Sequence, residues 1–286
     1  MIWIFPILIL SIVVLWGYFS SSIILYTPRE ALEANPKTFG YEFNSFQLNS
    51  SDGVKLEAWW VPCKKLSAVT IVVLHGWGAN RSDVLRSTIH LADHFNLAYL
   101  DFRNHGISGD GKTSLTCLEM RDFKACVKFL KSEKKSFSER IGVFGFSMGG
   151  AVAISGSAQM PEIAAVVAES PFASYRDTVY RYARMFYFAP KFAVPITLAF
   201  ARWRLGFDPE GCSPIYHIAQ LAPRPILIIQ SSGDERMPTT EGQQLFNAAQ
   251  EPKEIWTVPG ADHGDIAAKN PEEYKTKILN FFKKYL

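Results

Sequence analysis

A short apolar run that delivers its chain straight into Gly145-Phe146-Ser147-Met148-Gly149-Gly150 leaves few folds open. The segment from Arg140 to Phe144 reads as a buried strand, and Ala151-Val-Ala-Ile-Ser155 reads as a helix. A serine on so sharp a strand-to-helix turn needs small neighbours on both sides, and the pattern Gly-x-Ser-x-Gly supplies them. Ser147 is therefore the candidate nucleophile. The bare pattern is common in proteins; its placement between strand and helix gives it mechanical meaning.

Three further segments follow the same logic. Val69 to Leu74 is a β-branched strand ending in His75-Gly76-Trp77-Gly78, a loop that can lend a backbone N–H to a developing oxyanion. The motif assigns that N–H to Trp77, with Met148, the residue after the serine, as second donor. Read on its own, His75-Gly76 is equally a tight turn with a packed imidazole. Pro225 to Gln230 is another buried strand, and the loop after it carries Asp234, the candidate acid for orienting a histidine. Its neighbour Glu235 competes with it, since one residue of loop shift exchanges them, and Glu169 at the end of strand 163–168 is a third possible source. Glu254 to Val258 is the last strand, and His263 follows it, ahead of the closing helix, where a general base belongs. The order serine, acid, histidine is that of the α/β-hydrolases.

The other histidines read differently. His90 and His94 stand four apart on a helix with no third ligand in prospect, so they form an outward or half-buried helix face. His105 lies in the loop Asp101 to Gly109 after strand 97–100. His217 lies in a helical turn capped by Ser213.

Taken together, these residues resemble the α/β-hydrolase serine hydrolases of the monoglyceride-lipase-like and serine-aminopeptidase-like group. The likeness runs from about Phe46 to the C-terminus. It rests on Ser50 to Trp59, His75 to Gly78, Asp101 to Ser108, Gly145 to Gly149, Asp234 with Met237-Pro238, and His263-Gly264. The resemblance implies a mostly parallel sheet with helices on both faces and a helical cap insertion. It also implies a Ser147, Asp234, His263 triad with the Trp77 and Met148 N–H groups as oxyanion hole, and no cofactor or metal. One departure is Asn104, where the related loop usually has glycine; asparagine tolerates left-handed backbone, so the fold should survive.

Composition matters mainly at the start of the chain. From Met1 to Pro28 there is no charged residue, and Ile2 to Leu25 is nearly all apolar or small, enough to cross about 30 Å of hydrocarbon. The reading is a single-pass anchor over 1–27, with Trp3, Trp16, Tyr18 and Tyr26 as interfacial residues. A signal peptide cleaved near Ser20-Ser21-Ser22 competes with it, though the first residues hold no lysine or arginine. A linker over 28–42 and a catalytic domain over 43–286 follow. The flanking charges, Arg29 and Lys37 against Glu30 and Glu33, leave the side of the membrane open. A net charge of +3 argues for no polyanionic partner, and no nucleic-acid motif is present. Oligomeric state is not written in these residues. Cys63, Cys117, Cys126 and Cys212 show no metal spacing and call for no disulfide; Cys117 and Cys126 fall on different faces of one helix.

Phe43 to Leu48 and Val54 to Val61 read as an antiparallel edge pair around Asp52-Gly53. Thr116 to Lys135 reads as a helix with Phe123, Val127 and Leu130 inward and Lys124, Lys128 and Lys131 on a solvated stripe. The segment about 175–212 interrupts the strand-helix alternation and reads as the cap. Aromatic residues such as Tyr182, Phe186 and Phe192 alternate there with Arg181, Arg184, Lys191 and Arg204, and Pro190 and Pro195 divide it into short helices. The expected chemistry is hydrolysis of a small or lipid-like carboxylic ester through an acyl-enzyme. Peptidase, amidase or acyltransferase chemistry on the same triad, or a non-catalytic membrane-tethered binding role, are the alternatives.

Overall fold

The computed structural model describes residues 4–286, so the expected interfacial Trp3 lies outside the described residues. Eight strands form one sheet: β1 (Asn44–Asn49), β2 (Lys55–Val61), β3 (Val69–Leu74), β4 (Asn96–Leu100), β5 (Arg140–Phe146), β6 (Ile163–Glu169), β7 (Ile226–Ser231) and β8 (Lys253–Val258), in the order β1-β2-β4-β3-β5-β6-β7-β8. β1 and β2 pair antiparallel, β2 lies antiparallel to β4, and every remaining neighbour is parallel. This is the α/β-hydrolase arrangement. The apolar runs at β3, β4 and β7 are buried along their length because helices cover both faces of a parallel sheet.

The described helices are α1 (Ile4–Leu25), α2 (Leu85–Thr88), α3 (Cys117–Glu133), α4 (Met148–Ala158), α5 (Tyr175–Tyr187), α6 (Val194–Leu205), α7 (Thr239–Ala248), α8 (Ile266–Lys269) and α9 (Pro271–Tyr285). One core layer packs α3 and α4 on the sheet through Phe123, Val127, Leu130, Val152 and Ile154. The other packs α9 on the opposite face through Tyr274, Ile278, Phe281 and Phe282. Lys124 and Lys128 of α3 face solvent, while Lys131 donates to the Ser138 and Glu139 carbonyls.

α5 and α6 form the cap. The break between them spans 188–193 and includes Pro190, whereas Pro195 sits in the first turn of α6, where a missing N–H costs nothing. Arg181 pairs with Glu241 of α7 and donates to the Arg236 carbonyl at 2.9 Å, which ties the cap to the body. A second tie was not foreseen in the cysteine spacing: Cys117, at the start of α3, forms a disulfide with Cys212, where the chain returns from the cap, their Cα atoms 5.4 Å apart. Partners 95 residues apart meet because the chain leaving the cap returns to the start of α3. The hydroxyl of Ser213 accepts the Tyr175 N–H at 2.8 Å and does not cap the following turn.

Candidate active site

β5 ends at Phe146 and α4 begins at Met148, so Ser147 alone makes the turn, with φ 54° and ψ −116°. A side-chain-bearing residue there costs about 1–3 kcal/mol and persists only where its surroundings over-determine it. The surroundings do so: the Ser147 N–H donates to the Glu169 carbonyl at 2.8 Å, and its own carbonyl accepts the Ala151 N–H at 3.1 Å. The flanking glycines have equally definite reasons. A Cβ on Gly145 would lie 2.1 Å from the Gly149 oxygen, and one on Gly149 would lie 2.3 Å from the Leu74 oxygen.

The Ser147 hydroxyl oxygen lies 3.0 Å from His263 Nε2, and His263 Nδ1 lies 2.7 Å from Asp234 Oδ2. The other Asp234 oxygen accepts the Met237 N–H at 2.8 Å, which fixes the carboxylate plane. With a carboxylate on Nδ1, the neutral imidazole carries its proton there and turns its Nε2 lone pair to the hydroxyl, a tautomer assigned from these partners. The two loops meet because Gly233 lacks a side chain: a Cβ there would fall 2.8 Å from the Ala261 oxygen. Glu235, one residue on, points to solvent. Glu169 is buried beside the site and bonds Tyr274, not His263: it accepts the Tyr274 hydroxyl, and burial together with the nearby Asp234 pushes its carboxyl up to about 7 despite that bond.

Trp77 and Met148 border the same cavity as Ser147. The loop that presents Trp77 is pinned by His75, whose buried ring accepts the Phe102 N–H on Nε2 at 3.1 Å and donates from Nδ1 to the Gly76 carbonyl at 2.7 Å. Desolvation, with the neighbouring His105 second, holds His75 well below the usual imidazole range, so it serves as a neutral strut. Gly76 brings the loop onto the elbow: a Cβ there would touch Phe146 at 3.3 Å and the Ser147 Cβ at 3.4 Å. Asp101 accepts the Arg81 N–H at 2.8 Å and its guanidinium at 2.7 Å. Asn104 takes φ 60°, the left-handed geometry its glycine-like position calls for. His90 is half-buried and His94 exposed, and no third ligand joins them among the described residues.

Above Ser147 lies a cavity of about 860 Å³, walled by the body and by Tyr182, Phe186 and Tyr187 of the cap. Its remaining wall is α1, through Trp16, Phe19, Ser20, Ile23 and Ile24. Sequence reasoning treated this helix as an anchor alone. Those five positions follow the spacing of one helical face, yet on a helix apolar all round the spacing carries no contrast.

Residues 108–286 match the prolyl oligopeptidase family. A solved esterase of Pyrococcus furiosus is 29% identical, with 92% of this chain and 98% of that one covered and a TM-score of 0.77. An uncharacterized protein of Mycobacterium tuberculosis is 30% identical, covering 76% of this chain and 71% of that protein. YqkD of Bacillus subtilis, also uncharacterized, is 25% identical over 86% of this chain and 77% of its own length.

Proposed function

The chain belongs to the prolyl oligopeptidase family of serine hydrolases, and from that premise we propose that it cleaves carboxylic esters through Ser147, His263 and Asp234. The observation that carries this reading is the hydrogen-bonded line from the Ser147 hydroxyl through His263 to Asp234, set in the wall of a largely apolar cavity. His263 Nε2 takes the serine proton as Oγ attacks the ester carbonyl, and Asp234 stabilises the imidazolium that forms. The backbone N–H groups of Trp77 and Met148 receive the oxyanion; a lost donor in such a hole typically costs about 10²- to 10³-fold. The imidazolium then protonates the leaving alcohol. Water enters, His263 acts again as base, and the acid is released.

An ester is favoured over an amide for two reasons. The alcohol is the easier group to expel, and the P. furiosus relative of like fold and length is an esterase. The family's peptidase name supports a second reading, in which a small peptide or amide is cleaved by the same groups. α1, a 22-residue apolar helix, is read as a membrane anchor. The Cys117–Cys212 disulfide supports a catalytic domain on the oxidising side of that membrane.

The test is turnover of p-nitrophenyl esters and of an amino-acyl p-nitroanilide by the full chain in detergent, beside Ser147→Ala and Asp234→Asn. Ester turnover abolished by the first variant and lowered about 10⁴-fold by the second is the expected result. Turnover of the anilide alone would replace ester with amide. Turnover unaffected by Ser147→Ala would remove the serine from the mechanism. An added alcohol that diverts the acyl group from water would mark a transferase.

A further inference from the structure

The last turns of α1 are built into the folded body. Gly17, Ser21 and Leu25 are buried, and the Leu25 carbonyl accepts the Thr113 N–H at 2.9 Å. α1 and α6 approach so closely that a Cβ on Gly17 would fall 2.3 Å from the Phe200 ring. The Ser20 and Thr197 hydroxyls share a 2.8 Å hydrogen bond. Arg204 of the cap donates to the Tyr18 carbonyl at 3.0 Å, to the Ser21 hydroxyl at 2.8 Å and to the Ser22 hydroxyl at 2.7 Å. Small residues at the contact and a polar clasp are how apolar helices associate when lipid removes the hydrophobic incentive.

The length of α1 fixes where this contact sits. At about 1.5 Å per residue its 22 residues span about 33 Å, against about 30 Å of hydrocarbon. Crossing therefore uses the helix almost to its end, and because Gly17 lies about 12 Å before that end, the docked turns carry the attached face of the cap into the outer hydrocarbon. The cap is dressed for that setting: Phe188, Phe192 and Trp203 are 89%, 79% and 72% exposed, on or beside α5 and α6. Beside them, in the last turn of α6, Arg202 pairs with Asp208 at 3.2 Å and Arg204 holds its clasp on α1. Phe19, which lines the cavity above Ser147, is itself 69% exposed.

We propose that α1 is a wall of the substrate pocket as well as an anchor. The long acyl chain of a bilayer lipid ester enters between α1 and the cap and lies against Phe19, Ile23 and Ile24 while its carbonyl reaches Ser147. This rests on the serine-hydrolase reading above, and it narrows the substrate class from esters in general to lipid esters drawn from the membrane.

Two measurements on the full chain in phosphatidylcholine vesicles test it. In the first, a long-chain alkyl fluorophosphonate with a diazirine in its tail reacts at Ser147: the Oγ–P bond forms, fluoride leaves, and the serine proton passes to His263. After illumination, peptides bearing the tail are mapped. Tails on 16–24 and on α5 or α6 are expected. Tails confined to the body would overturn the proposal, while absence of any label on Ser147 would overturn the serine-hydrolase reading instead. In the second, Ile23→Trp fills the pocket beside α1 and Gly17→Leu spoils its contact with α6. Losing contact with two methylenes, at about fourfold each, lowers kcat/KM for a long-chain ester more than tenfold relative to that for p-nitrophenyl acetate. Equal loss on both substrates, or on neither, in the Ile23 variant counts against the proposal, as does an intact mass showing that the active protein lacks α1.

Discussion

The turn at Ser147 stores strain that a pair of substitutions can read out. At φ 54° and ψ −116° a Cβ is unfavourable by about 1–3 kcal/mol, whereas glycine adopts such backbone at no steric cost. Ser147→Ala and Ser147→Gly both remove the hydroxyl and its 3.0 Å contact with His263, so the difference between them isolates the Cβ. Glycine also frees the unfolded chain, which offsets about 0.4–1 kcal/mol of the relief. The glycine variant should therefore be the more stable of the two by about 1 kcal/mol, the reverse of the order at an ordinary position. In a chain of 286 residues that is a rise in Tm of about 2 °C, within reach of differential scanning fluorimetry in detergent. Both variants are expected to be inactive. A glycine variant that melts below the alanine variant would refute the argument that the elbow is strained by its own side chain.

Two further expectations concern groups outside the Ser147, His263 and Asp234 line. Glu169 has a folded-state pKa raised from 4.5 to about 7, so the unfolded chain ionises first; stability falls as pH rises between those values and levels off above them. Glu169→Gln, which still accepts the Tyr274 hydroxyl, should flatten that slope in urea titrations at pH 5 and pH 8, where the wild-type difference is up to about 3 kcal/mol; an unchanged slope places the pH dependence elsewhere. The disulfide leaves Cys63 and Cys126 free, so the unreduced denatured chain should titrate two thiols and the reduced chain four. Cys212→Ser should then lower stability by up to about 4–5 kcal/mol, given the 95-residue separation, and four thiols before reduction would contradict the bond.

The sheet was legible because its strands are short apolar runs bounded by loops, and β3 falls at Val69–Leu74 as the sequence alone suggests. The elbow was legible for a stronger reason. Gly145 and Gly149 stand where a Cβ would strike backbone, so the geometry writes itself into the sequence as a fixed spacing. Glu235 and Asp234 were separable only by the loop, which Gly233 folds tightly enough to turn the first outward and the second onto His263. Long-range pairings leave no such local mark. Nothing near Cys117 names Cys212, because their meeting depends on how the chain leaving the cap returns to the start of α3.

The docking of α1 is a case between these, and it bears on what the helix does. Hydropathy reads a span of this composition as uniform, which hides the face toward the cavity. The polar marks were nevertheless present in Gly17 and in Ser20-Ser21-Ser22, a trio equally readable as a cleavage site. In the fold, Ser21 and Ser22 satisfy Arg204 and Ser20 meets Thr197. A tether needs only length and hydrophobicity, and any face of it will serve. A helix that gives the cap three hydroxyls, a backbone carbonyl and a side-chain-free approach at Gly17 is held in one rotation about its axis. That fixed rotation is what keeps Phe19 and Ile23 turned to the cavity, so the same contacts that seat the anchor also shape the pocket.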